Sequence, residues 1–211
     1  MTTSTRQDSA ARARSLFGLL LALPLAALIA GIFACLPVPL GDPENSKIDA
    51  KLTGGWIVAT SDTASTLYIV RAYDARTYLI ESLEFEVNAD KSIKPGKCMA
   101  MKGWLTTLGE KRFICAEPLN PNEPIGLDAA EEKKVYFVAA VTTKGDQIEL
   151  ATLDIPEATL KEIKTSADAE KVLKANLDNP KFYTDKPTVL KKVGKDQADT
   201  VNAVLKAFYM N

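Results

Sequence analysis

The most apolar stretch of the chain is residues 15–36, SLFGLLLALPLAALIAGIFACL, which contains no charged side chain. Because about 20 apolar residues in a helix span the hydrocarbon core of a bilayer, this stretch is long enough to cross a membrane. Arg6, Arg12 and Arg14 precede it, whereas the ten residues that follow it contain neither Lys nor Arg. The positive-inside rule therefore predicts a cytoplasmic N-terminus and a remainder that faces the periplasm or the outside.

The end of this stretch is compatible with two kinds of membrane attachment. A basic segment, an apolar run and then small residues also describe a cleaved signal peptide. The sequence Ile32-Phe33-Ala34-Cys35 resembles a bacterial lipobox, in which the cysteine is lipidated and becomes the new N-terminus. That resemblance implies that Cys35 is a lipid attachment site. The alternative is an uncleaved transmembrane anchor over residues 15–36.

Beyond residue 50 the apolar positions change to the two-residue period of β-strands. Turn residues at 74–75, 109–110 and 145–146 are typical of tight hairpins, and the proline- and acid-rich residues 118–132 predict an exposed loop. Eight strands joined mostly by hairpins indicate an antiparallel meander closed into a barrel, since closure removes exposed edges. The strand-like runs are Leu52–Thr60, Thr66–Tyr73, Arg76–Val87, Cys98–Leu108, Lys111–Glu117, Lys133–Thr143, Gln147–Asp154 and Lys186–Val193.

Three stretches have helical periodicity: Pro156–Ile163, Ser166–Leu177 with Ser166 as its cap, and Asp196–Met210. In the last stretch four apolar residues share one stripe. This stripe either covers the barrel or forms a docking face for a partner. Its residues are Val201, Val204, Leu205 and Phe208.

The composition excludes several classes of functional site. The chain has 26 Lys and Arg against 27 Asp and Glu, so its charge does not predict nucleic-acid binding. It has no His, which excludes catalytic triads, zinc sites and general bases that depend on His. No phosphate-binding, dinucleotide-binding or calcium-binding motif is present. We therefore expect a protein that is not an enzyme and that needs neither a cofactor nor a metal.

One motif carries a resemblance to a known family. Leu52-Thr53-Gly54-Gly55-Trp56 resembles the L-x-G-x-W opening of lipocalin-type barrels. The resemblance implies that Trp56 closes one end of the barrel beneath a basic residue of the last strand, either Lys191 or Lys192. The segments LGDPENSKID, KLTGGW, KGWLTTLGEKRF and NLDNPKFY are also similar to segments of uncharacterised bacterial lipoproteins, which brings no established activity.

These observations predict a mainly β protein. An N-terminal transmembrane or signal helix precedes an eight-strand antiparallel meander or lipocalin-like barrel, which carries two or three packed α-helices. The expected divisions are a cytoplasmic basic tail (1–14), the membrane anchor or lipoprotein signal (15–36), an extended linker (37–50), the barrel domain with helices (51–194) and a C-terminal amphipathic helix (195–211).

One acidic residue of the strand-like run 77–87 is a candidate for a polar site. Glu81 shares a face with Leu83 and Phe85, and an inward Glu81 requires a cationic partner. Arg71 or Arg112 could supply it. Such a pair would either orient the polar group of a ligand or form a satisfied pair within the core.

The predicted hairpin at 109–110 also fixes the positions of two cysteines. A two-residue turn pairs Leu108 with Lys111, which places Cys115 opposite Trp104 and Cys98 roughly 20 Å away. Because a disulfide requires Cα atoms within about 7 Å, we expect two free and buried thiols.

Residues 135–141 are apolar on both faces, so a helix or another subunit must cover the face outside the barrel. With the helical stripe, this pattern favours an accessory or structural subunit of a membrane-associated complex, held beside a membrane-protein partner. The alternative is a lipocalin-like carrier of a lipid or other apolar small molecule. The many Leu and aromatic residues predict that the barrel is filled.

Overall fold

The computed structural model describes residues 34–119 and 135–210. The basic tail, the apolar stretch up to residue 33 and most of the predicted loop lie outside the described residues. Within the described part, no helix is long and apolar enough to cross a membrane. The strands there are β1 (Ala34–Leu36), β2 (Gly54–Ala59), β3 (Ala64–Ala72), β4 (Tyr78–Val87), β5 (Ile93–Leu108), β6 (Lys111–Pro118), β7 (Tyr136–Lys144), β8 (Gln147–Thr152) and β9 (Thr188–Lys192).

The described residues form a mainly β domain, in which strands β2 to β9 close into an eight-strand antiparallel barrel. Closure occurs where β9 pairs with both β2 and β8. The short β1 pairs with the start of β7, with Leu36 opposite Tyr136, and β8 pairs with β7 from Ala139 onward. This barrel confirms the predicted antiparallel architecture and is consistent with a lipocalin-like fold.

Three α-helices lie outside the barrel: α1 (Glu157–Glu162), α2 (Ser166–Ala175) and α3 (Ala198–Tyr209). Helix α2 begins in a capping box, in which Thr165 Oγ1 accepts a hydrogen bond from the Asp168 amide and the Asp168 carboxylate accepts one from the Thr165 amide. Thr165, rather than the predicted Ser166, is therefore the cap, because Asp168, three residues later, can accept a hydrogen bond from the Thr165 amide.

Apolar residues on the two faces of the strands supply separate clusters. The inward residues of the strands, including Trp56, Tyr78 and Ile80, form the interior of the barrel. Helix α2 packs on the outward residues of β5 to β7, and α3 packs on those of β3 and β4. Strand β7 is apolar on both faces for this reason: Ala139 and Val141 point inward, whereas Tyr136 and Val138 lie beneath α2.

Residues 37–50 differ from the extended linker that their prolines and glycine predicted. Leu40 is fully buried, and its carbonyl accepts a hydrogen bond from Trp104 Nε1 at 2.9 Å. Further along, Ser46 Oγ accepts from the Leu105 amide at 2.9 Å. The segment packs on the outer wall of the barrel because Leu36 and Leu40 complete the apolar cover of Trp104. The segment is therefore part of the folded domain.

Candidate functional site

One end of the barrel, which we call the base, carries the hairpins at 73–77, 109–110 and 145–146 and a 3₁₀ turn, Ala50–Leu52. Trp56 Nε1 donates a hydrogen bond to the Leu52 carbonyl at 2.9 Å, which fixes the turn beneath the interior cluster. Lys192 Nζ lies 5.7 Å from the centroid of the Trp56 ring. Of the two lysines expected at this place, Lys192 is therefore the one over the tryptophan, while the exposed Lys191 is opposite Ile57.

The interior of the barrel is nearly filled. An apolar cavity of about 50 Å³ remains, far below the roughly 300 Å³ or more of a typical small-molecule site. The large side chains of Trp56, Tyr68 and Tyr78 are buried around it. The residues that line the cavity are Leu52, Trp56, Tyr68, Val70, Tyr78, Ile80, Ile114, Val141, Ile148, Leu150 and Leu190.

A larger pocket of about 380 Å³ lies at the base, and we call it the base cleft. The ladder between β6 and β7 ends at the pair Phe113–Ala140. Beyond that pair, β6 extends to Lys111 and remains paired only with β5, and β7 extends to Lys144 and remains paired only with β8. A gap therefore opens between β6 and β7. The residues that line the cleft are Glu110, Lys111, Arg112, Ala140, Val141, Thr142, Thr143, Ala151 and Tyr183.

Arg112 lies on the inner side of this gap, since it shares a face of β6 with Ile114 of the interior cluster. Its Nη1 donates to Asp49 Oδ2, and its Nη2 lies 3.4 Å from Thr143 Oγ1 across the gap. The hydrogen bond from Arg112 lowers the pKa of Asp49. Asp49 is held in turn by its own backbone amide, which donates to Tyr78 Oη at 2.6 Å.

Lys111 lies on the outer side of the same gap. Its Nζ is 4.6 Å from the centroid of the Tyr183 ring and donates to the Leu177 carbonyl. Tyr183 Oη donates to the same carbonyl at 3.1 Å, and burial raises the pKa of this phenol. The exposed Asp178 carboxylate is 3.9 Å from Lys111. The cleft therefore has a cation on each side of the sheet and an aromatic ring on its outer wall.

The structure brings Glu81 together with Arg71, and not with Arg112. Glu81 lies on the outer wall of the barrel, because its face of β4 packs beneath α3. It accepts a hydrogen bond from Tyr209 Oη, at the end of that helix, at 3.0 Å. This packing corrects the inward position considered for Glu81. The hydrogen bond from Tyr209 links the end of α3 to the outer wall of the barrel.

The stripe of α3 is used within the chain. Val204 is fully buried, and Val201, Leu205 and Phe208 pack against the outer wall beside Leu83 and Phe85. This is the first of the two roles considered for the stripe, the cover of the barrel.

The cysteines have the predicted register. Trp104 is opposite Cys115, and all three cysteines are free. Cys115 is buried and Cys98 is exposed, so the expected burial is wrong for Cys98. Cys35 lies in β1 with an exposed side chain.

Comparisons with protein-family models, with curated proteins and with solved structures find no match. Among the described residues, no three His, Cys, Asp or Glu side chains lie together as metal ligands would. The base cleft combines volume, charged side chains and apolar walls on the described surface. Sequence reasoning singled out Arg112 but assigned it another partner, and it missed Asp49, Lys111 and Tyr183. No local pattern marks them, since their segments meet only in the closed barrel.

Proposed function

We propose that this protein is a non-catalytic, lipocalin-like binding protein attached at a membrane surface, and that its ligand binds in the base cleft. The observation that carries the proposal is the cleft of about 380 Å³, which falls within the range of roughly 300–1,000 Å³ for small-molecule sites. The interior cavity, at about 50 Å³, is too small for this purpose. The ligand site therefore lies at the gap between β6 and β7.

The role of accessory subunit is the second candidate, and its support is weaker. It depended on the apolar outer face of β7 and on the stripe of α3, and both are covered by other parts of this chain. The large apolar side chains exposed in the described part are Tyr73, Val135, Tyr209 and Met210. What remains in favour of that role is the proposed membrane attachment, which would concentrate the domain near a membrane partner.

Attachment through residues 15–36 is part of this proposal. If Cys35 is lipidated, the mature protein lacks residues 1–34, and Cys35→Ala leaves a longer species. The intact mass of membrane-extracted protein distinguishes the two modes. An unmodified full-length mass would contradict lipidation and leave the transmembrane anchor.

The ligand proposal is tested by native mass spectrometry of the full chain, extracted in a mild detergent. We expect a small molecule to be retained by the natural protein and lost from Thr142→Trp and Ala151→Trp, because each new indole fills the cleft. The control is Ala203→Trp, on the exposed face of α3. Equal retention by all four proteins, or no small molecule on the natural one, would contradict the proposal.

A further inference from the structure

Resting on this proposed function, we propose that the base cleft selects a small organic carboxylate with an apolar body, whose charged group is bound between Arg112 and Lys111. Two of the lining side chains are cationic and one, the exposed Glu110, is anionic. A cationic ligand would meet like charges on both sides of the gap. An anion is therefore the charge that the lining favours.

Arg112 is prepared for a carboxylate by its existing contacts. A guanidinium has five N–H donors, of which Nη1 donates to Asp49 Oδ2 and Nη2 makes a long contact of 3.4 Å to Thr143 Oγ1. Donors thus remain for a ligand placed in the gap. Asp49 holds the guanidinium plane in position, and the Tyr78 contact holds Asp49. Because this geometry exists before binding, little side-chain entropy is lost when a carboxylate binds.

Partial burial strengthens these electrostatic contacts. The Arg112 side chain is 32% exposed, and that of Asp49 is 24% exposed, so neither charge is fully solvated. A carboxylate that displaces water from the gap gains charge-assisted hydrogen bonds in a medium of lower dielectric constant than water. The hydroxyl of Thr143, which lies 3.4 Å from Arg112 Nη2 and also lines the cleft, can donate to its second oxygen.

The apolar body of the ligand is specified by the other walls. Ala140 and Ala151 are opposite each other in the β7–β8 ladder, so two small side chains leave a recess in the sheet. Val141 and the Tyr183 ring complete the lining. An aromatic or short aliphatic group fits against this surface, whereas a free inorganic anion would leave it unused.

The inference is tested by ¹⁹F NMR titration of the full chain in detergent with 4-fluorophenylacetate and its neutral isostere 4-fluorophenylacetamide. We expect the carboxylate to bind at least about tenfold more tightly than the amide, since charged hydrogen bonds typically contribute this much or more. Arg112→Gln should weaken carboxylate binding about tenfold or more and leave amide binding unchanged. Lys111→Gln, which retains the Asp49–Arg112 pair, should weaken it by a smaller factor.

The matched control is Arg76→Gln, since Arg76 pairs with Glu44 at the surface and does not line the cleft. It should bind both probes as the natural protein does. Equal affinity for the two probes, unaltered binding by both cleft variants, or no binding of the carboxylate would overturn the preference for anions and leave the binding function standing. If Thr142→Trp still binds the carboxylate, the ligand does not bind in the base cleft, and the proposed function is wrong as well.

Discussion

A Cβ atom placed on Gly41 would lie 2.0 Å from Oγ1 of Thr106, so the chain before the barrel passes against β5 with no space for a side chain. Gly41 has φ +71°, a left-handed conformation that side chains other than glycine rarely adopt. Thr106 Oγ1 donates to the Leu40 carbonyl at 3.1 Å. This close approach is what brings Leu40 into the apolar cluster beneath α2.

Gly41→Ala should therefore be strongly destabilising. The left-handed conformation costs an alanine about 1 kcal/mol, and the clash with Thr106 adds about 1–3 kcal/mol. Gly145→Ala is the matched control, because Gly145 has φ +57° and no atom lies within 4 Å of the position that its Cβ would take. Denaturant unfolding followed by tryptophan fluorescence measures both. Equal losses in the two variants would show that residues 37–50 do not pack on β5.

Lys192→Ala should lower the free energy of unfolding by about 0.5–1 kcal/mol, the range of a cation–π contact at an exposed site. Lys192→Arg should retain most of the stabilisation from this contact, because a guanidinium also stacks on an indole. Lys191→Ala is the control, because Lys191 is also exposed but occupies the preceding position of β9, on the other face of the strand. A loss with Lys191→Ala as large as with Lys192→Ala would contradict a specific contact with Trp56.

Val204→Ala should lower the free energy of unfolding by about 1.5–2 kcal/mol, since it removes two buried carbon atoms and leaves a cavity. Asn202→Ala, on the exposed side of the same helix, should change it by less than about 0.5 kcal/mol. The same denaturant assay measures both variants. If Val204→Ala is as mild as Asn202→Ala, α3 is not docked on the barrel, and its stripe is available to a partner.

The thiols should differ in reactivity. Burial raises the pKa of Cys115 to about 12, so its thiolate is scarce near neutral pH and its sulfur is shielded. Native alkylation followed by peptide mapping should label Cys98 and spare Cys115, whereas denaturation without reductant should expose both. Cys98→Ser is the control for the assignment of the native label. Protection of both after denaturation would indicate a disulfide and a different strand register.

Stability should fall at alkaline pH partly through Tyr68. Burial raises the pKa of Tyr68 to about 12 from an unfolded value near 10. Between these values the unfolded chain releases a proton that the folded one retains, so this contribution is complete below pH 10 and is lost as the pH rises toward 12. Tyr68→Phe should reduce the pH dependence of the free energy of unfolding in this window. An unchanged slope would mean that the phenol is solvated.

The elements that could be predicted from the sequence depend on local chemistry. The two-residue turn at Gly109-Glu110 pairs Leu108 with Lys111, and this pair determines every partner along β5 and β6 up to Trp104 and Cys115. The strand periodicity and the hairpin turns likewise indicated the antiparallel barrel. Such features involve neighbours in the sequence, so one chain segment contains all the information that they need.

The orientation of β4 could not be read in the same way. Tyr78 and Ile80 form one apolar face, and Leu83 and Phe85 form the other, so alternation alone does not say which face is inside. The choice depends on α3, more than a hundred residues later, which covers Leu83 and Phe85. Glu81 consequently lies outside the barrel with them.

The strand order of the barrel, the β5–β6 register, the free thiols and the place of Trp56 in β2 follow from neighbouring residues in the sequence. Three features depend on the folded chain: residues 37–50 pack on the outer wall, the β6–β7 ladder ends at Phe113 and Ala140, and Asp49 contacts Arg112. The two groups differ in the range of the interactions that produce them. Turns and alternation act between neighbours, whereas closure of the barrel brings together charges 63 residues apart and leaves the cleft beside them.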